Sequence, residues 1–379
     1  MKFKKAGYIL IFLLFFSCIT TIDINAYDLS YIENKIDLQK ALDQLPDEAK
    51  DLIPSKNNDA DSIVSSAKNI SSSSISNFLI KTFKKTLSSF SKKYISLLGI
   101  LTIISIINTS KNSLASAELS KTVNLATIMV LAVFLYDLLY TVWEIAELYL
   151  TTMDKVINAL LPTMTLLYTA GGNLSTAVGN STGTAILLTI MNYILQHALF
   201  PILKICFGLS IACTIGGING ISEIIKSIKS FFAFALSGVM TIFSIFLAFK
   251  TCISASADGV TARTVKFAGS FVPIVGSALG ESVKNIMAGL SLIKSSVGFI
   301  GIIVIIFITV PPLLSVFINK FCLNLCAGTA YLFGCDTHGA FIKEINSLLG
   351  FLLAVILCVS VVFIFELTLF IMISPAFGG

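Results

Sequence analysis

From Val156 to Leu203 the chain carries no Asp, Glu, Lys or Arg. A run of that length cannot cover a water-facing surface, and it is long enough for two bilayer crossings of about 20 residues each. Inside lipid every backbone polar group must find a partner within the chain, so such a run folds as helices. Further apolar runs extend from Tyr94 to Ser110, Ile205 to Ile221, Phe231 to Phe249, Ser295 to Asn319 and Ile345 to Phe365. Thr122 to Trp143 is another, broken only by Asp137. The fold class is therefore all-α: a polytopic transmembrane helical protein with seven or eight spans. Gly171, Gly172, Gly179 and Gly183 mark the turn inside the long run, and Pro201 with Lys204 separates the next one. Pro311 and Pro312 are expected to kink or break the penultimate run, because proline lacks the N–H that a helix needs.

Composition agrees. Of 379 residues, 55% are hydrophobic and 12% charged, about half the charge of a soluble domain. Arg263 is the only arginine among 26 basic residues. Nucleic-acid readers use arginine forks, whereas the lysines here flank apolar runs as interface anchors, so no nucleic-acid partner is expected. The eight cysteines are scattered, several within apolar runs, and suit buried thiols better than a disulfide framework.

The N-terminus reads as a signal peptide, residues 1–26, with Lys2, Lys4 and Lys5 preceding a short apolar core from Tyr8 to Ile19. Cleavage after Ala26 is expected, with an uncleaved anchor as the alternative. Residues 27–93 form a polar extracytoplasmic arm ending in a basic helix, and 94–379 the transmembrane domain. In the arm, Leu79, Phe83, Leu87, Phe90 and Tyr94 recur at helical spacing beside Lys81, Lys84, Lys85, Lys92 and Lys93. This stretch either lies on an anionic membrane surface or simply leads into the first span. Five lysines outside the cytoplasm would run against the positive-inside tendency, so orientation stays open.

No phosphate loop, H-E-x-x-H or G-x-S-x-G motif is present. No enzyme activity, catalytic residue or cofactor is expected. Two acids stand in apolar surroundings, Asp137 and Glu366; intramembrane carboxylates often mark ion paths, yet each also suits a helix interface. His197 has the same two readings. Cys322, Cys326, Cys335 and His338 resemble a zinc set in type, but their spacing matches no common zinc site, so no metal is expected.

The most informative segment is Ser254 to Gly298, rich in Gly, Ala and Ser and interrupted by Gly269, Pro273, Gly276 and Gly280. A re-entrant hairpin or a pair of interfacial helices fits it. It is either a pore or substrate-path element or a close-packed interface of small residues. DGVTARTVKFAGSFVPIVGSALGESV (Asp258 to Val283), the following LIKSSVG, and INALLPTMTLLYTAGG (Ile157 to Gly172) resemble the stage III sporulation protein AE family of endospore-forming bacteria. The resemblance covers essentially the whole chain, most weakly over residues 27–90. It assigns no catalytic residues, so Asp258, Gly259, Arg263, Lys266, Gly269, Pro273, Gly276 and Gly280 enter as motif positions. It implies a subunit of a secretion-like channel complex linking mother cell and forespore, placed in the mother-cell membrane around the forespore. Implied partners are other stage III A proteins, including a separate ATPase and ring-forming subunits, together with the lipid bilayer. The rival is an autonomous ion-coupled secondary transporter or permease using Asp137, Glu366 or Lys266.

Overall fold

The computed structural model describes residues 39–50, 72–111, 117–171, 177, 179–216, 219–269 and 276–373, with 251–287 described by backbone alone. The expected signal peptide, much of the arm and Pro273 lie outside them. The described residues are helical and contain no strand. Two short helices, α1 (Gln39–Leu42) and α2 (Asp47–Lys50), precede α3 (Ser72–Lys111) and α4 (Ala117–Ala170). Then come α5 (Ala185–Ile194), α6 (Phe200–Gly216), α7 (Asn219–Gly269), α8 (Gly276–Leu332) and α9 (Asp336–Met372).

Among the described residues, six helical stretches are long and apolar enough to cross a bilayer, α5 and α6 together forming one of them. The polytopic all-α fold is as the sequence predicts, and some apolar runs that the sequence separates are joined in one continuous helix. Residues 122–143 and 156–170 are two apolar runs separated by Glu144, Glu147, Asp154 and Lys155, yet they belong to one 54-residue helix, α4. At 1.5 Å per residue that helix is about 80 Å long, far more than a hydrocarbon layer of about 30 Å. Charged residues can therefore sit outside lipid without ending the helix. Lys204 reaches Glu147 at 2.7 Å across this charged stretch.

Proline is absorbed in the same way. The π-helical turn Leu195–Leu199 precedes Pro201, and the Phe200 N–H reaches the Leu195 carbonyl across this wider turn. The helix thus runs on through Pro201 where the sequence predicts a separation. Likewise α8 passes through Pro311 and Pro312 without ending.

The most extensive pairing is between α8 and α9. Glycine permits it: a Cβ at Gly301 would meet Leu367 at 2.8 Å, and one at Gly298 would collide with Ile371. Helix α3 packs along α8, with Phe78 against Phe307 at 4.7 Å between ring centres. Tyr94 donates to the Asn319 side chain at 2.8 Å. The apolar face that the sequence marks on this stretch is only partly buried. Phe90 and Tyr94 are buried with Phe78 and Thr82, whereas Phe83 and Leu87 point outward. The lysine-rich stretch continues without a break into the span. Ala41, Leu45 and Ala49 of the arm are buried in the same core.

Candidate functional site

Lys250 and Glu366 each stand directly after a charge-free run, Phe231 to Phe249 on α7 and Ile345 to Phe365 on α9. The fold brings the two together. The Lys250 ammonium donates to Glu366 Oε1 in a buried ion pair, their side chains 6% and 0% exposed. Thr184 completes the site. Its hydroxyl donates to Glu366 Oε1 at 3.1 Å and accepts from Lys250 at 3.4 Å. Thr184 closes the π-helical turn Gly179–Thr184. Such turns open the helix backbone and are frequent at functional positions. Gly183 lets Phe246 of α7 approach: a Cβ there would meet its ring at 3.1 Å. Three segments far apart in sequence are thus joined through one carboxylate oxygen. The other oxygen, Oε2, is buried and has no hydrogen-bond partner. It can accept one more donor without displacing Lys250.

A second buried lysine stands nearby along α9. Lys294 of α8 donates to the carbonyl of Ile373, the residue that ends α9. Its ammonium lies over the rings of Tyr168 and Phe370, at 4.8 and 5.2 Å from their centres. Cations are favoured at helix C-termini and over aromatic faces, so this charge is solvated by the protein itself. Between these sites and the opposite end of the bundle, Tyr149, Thr309 and Ser360 form an internal hydroxyl cluster. Tyr149 and Ser360 are 2.7 Å apart and Thr309 and Ser360 3.1 Å.

Residues 56–374 match the family described as stage III sporulation protein AE. The chain belongs to the stage III sporulation protein AE family. It is 25% identical over 285 residues to the stage III sporulation protein AE of Bacillus subtilis (strain 168), covering 74% of this chain and 70% of that protein. No solved structure matches. This family member is therefore a sporulation-related membrane protein with several apolar helices long enough to cross a bilayer.

Of the two acids that the sequence singles out, Glu366 is in the buried site and Asp137 is not. Asp137 is 70% exposed and accepts from Lys93 at 2.8 Å, with Thr141 bonding the same lysine at 3.1 Å. His197 is exposed and packs edge-on against Tyr193. The motif positions Asp258, Gly259, Arg263, Lys266 and Gly269 lie on the backbone of α7, and Gly276 and Gly280 on that of α8. The zinc-like set is not gathered: no group of three or more His, Cys, Asp or Glu able to hold a metal occurs among the described residues. His338 lies 3.0 Å from the Thr127 hydroxyl, and Cys335 accepts from Asn108 at 3.9 Å.

Sequence reasoning missed Lys250, Thr184 and Lys294. The signal for Lys250 was present. A lone lysine and a lone glutamate ending two apolar runs each need a counter-charge, and each is the simplest partner for the other. Thr184 gave no signal, because hydroxyls are common in spans and its role depends on the π turn.

Proposed function

We propose that this protein is a non-enzymatic membrane subunit of a secretion-like channel complex that links mother cell and forespore during sporulation. Its place is the mother-cell membrane around the forespore, reached through the signal peptide at residues 1–26. It works there with other stage III A proteins, including a separate ATPase and ring-forming subunits. The observation that carries this reading is family membership across residues 56–374. The buried charges fit a structural subunit: Lys250 is neutralised by Glu366, and Lys294 is held by a carbonyl and two rings. The motif segment Asp258 to Gly280 is the proposed site of contact with neighbouring subunits.

Cross-linking and co-purification of the full-length protein from sporulating cells test this directly. Recovery of an ATPase and ring-forming proteins, lost when Gly276→Leu is introduced at equal membrane abundance, is the expected result. Recovery of this chain alone would overturn it. The second reading, an ion-coupled transporter, draws on the unpartnered Glu366 Oε2. Ion flux by the purified protein alone in liposomes would favour it.

A further inference from the structure

The charge-free run of α7 is bracketed by Lys229 and Lys250, and that of α9 by Glu344 and Glu366. These brackets are two ion pairs, Lys229 with Glu344 and Lys250 with Glu366. The runs between them rise about 30 Å at 1.5 Å per residue, the thickness of a hydrocarbon layer. The charge-free run of α8 lies alongside, with Thr309 at 3.1 Å from Ser360 and Lys320 donating to the Asn346 carbonyl at 3.3 Å. Together α7, α8 and α9 fix the height of the bilayer on the bundle.

At that height another flank is charged. Phe78 packs on Phe307 and Tyr94 bonds Asn319, so α3 from Phe78 to Tyr94 runs beside the charge-free part of α8. Lys81, Lys84, Ser88 and Lys92 recur there at helical spacing, all exposed along one edge. Helix α4 reaches the same height through Tyr149, which bonds Ser360, and within two turns of it Glu144, Thr151 and Lys155 are exposed. The arm is seated on this flank. Gln44 and Pro46 line one cavity with Phe90, Pro311 and Pro312, while the Asp47 and Lys50 side chains are 91% and 51% exposed. On α7, by contrast, the exposed side chains at this height include Phe234, Ile242 and Ile245.

Charged side chains surrounded by hydrocarbon are costly, and at membrane depth they turn to protein or to water. Lys84 is about level with Pro311, so it stands more than about 10 Å along the helix axis from either bracketing ion pair. A lysine cannot escape that depth by extending its side chain to the headgroups. We propose that the flank built from α1, α2, α3 and α4 faces a water-filled passage at membrane depth, while α7 faces lipid. This deepens the channel reading and rests on it for the remaining walls, which one flank cannot supply.

The test is thiol labelling of the full-length protein in membranes from sporulating cells, after subtracting the reaction of the parent with its own cysteines. Lys84→Cys and Thr151→Cys should react with a small charged methanethiosulfonate at least about tenfold faster than Ile242→Cys, because the reactive thiolate needs water. Ile242 is exposed on α7 at nearly the same height and reports the lipid face. A bulky polyethylene-glycol maleimide should spare Lys84→Cys in intact membranes and modify it once detergent has opened the assembly. Equally slow reaction of all three variants with the small reagent would overturn the proposal, because the flank would then be closed to water. Equal access of the small and the bulky reagent in intact membranes would also overturn it, by placing the flank in bulk water. Recovery of the expected partners together with an unreactive Lys84→Cys would leave the channel reading standing and remove this one.

Discussion

Among the described residues four lysine–carboxylate pairs bridge helices, and two of them stand at the extremes of burial. Lys93 and Asp137 join α3 to α4 at the surface, with the carboxylate 70% exposed. Lys250 and Glu366 join α7 to α9 with both side chains buried. In the sequence the two acids look alike, each a single charge among apolar residues. In the fold they carry different energies. An exposed pair is worth about 0–1 kcal/mol, because water competes for both charges. Removing one partner of a buried pair costs about 3–5 kcal/mol, because the other charge is left without compensation. The lesson is that an intramembrane acid cannot be interpreted until its partner is known.

The largest effect is therefore expected from breaking the buried pair on one side only. Glu366→Gln and Lys250→Met should each destabilise the protein by about 3–5 kcal/mol, seen as a lower melting temperature in detergent and reduced membrane abundance. A change below about 1 kcal/mol in either would mean that the pair is solvated like the surface one. Glu366→Gln is thus a poor probe of transport by itself, since it strands Lys250 as well as removing a charge.

Next in size is damage to the same helix packing without any change of charge. Gly301→Val forces bulk against Leu367, where even a Cβ would stand at 2.8 Å. Overpacking of this kind costs about 1–3 kcal/mol, and thermal unfolding beside the charge variants separates packing from electrostatics. Thr184→Val should cost about 1.5–3 kcal/mol by removing a hydrogen bond to a charged group while keeping the volume. No loss in Thr184→Val would show that the π turn is not part of the clamp. The smallest effect belongs to Asp137→Asn, at about 0–1 kcal/mol, with sporulation close to the parent. A loss as large as that of Glu366→Gln would erase the contrast between the pairs.

How much of this was legible beforehand follows from what lipid does to sequence patterns. Charge-free runs located the apolar parts of the helices, since an uncompensated charge in hydrocarbon is costly. They did not locate helix ends, because α4 carries Glu144, Glu147, Asp154 and Lys155 on its surface without stopping. Helical periodicity was a weak guide to the inward face. In water an apolar face marks the core, but lipid tolerates Phe83 and Leu87 as readily as the core tolerates Phe78. Glu366 was visible because a lone acid stands out. Lys250 was missed because it directly follows an apolar run, where a lysine reads as an interface anchor. Gly298 and Gly301 let α8 and α9 approach closely.

The central claim is that Lys250 and Glu366 clamp the bundle and do not move charge. It is tested most directly by sporulation efficiency of the Lys250→Met/Glu366→Leu double variant, compared with each single variant at matched membrane abundance. Replacing a buried ion pair by apolar residues of similar volume is often neutral or stabilising. The account therefore predicts a double variant that melts within about 1 kcal/mol of the parent and sporulates like it, although each single variant fails. A double variant that is folded and abundant yet does not sporulate would contradict the account, because the charges themselves would then be required.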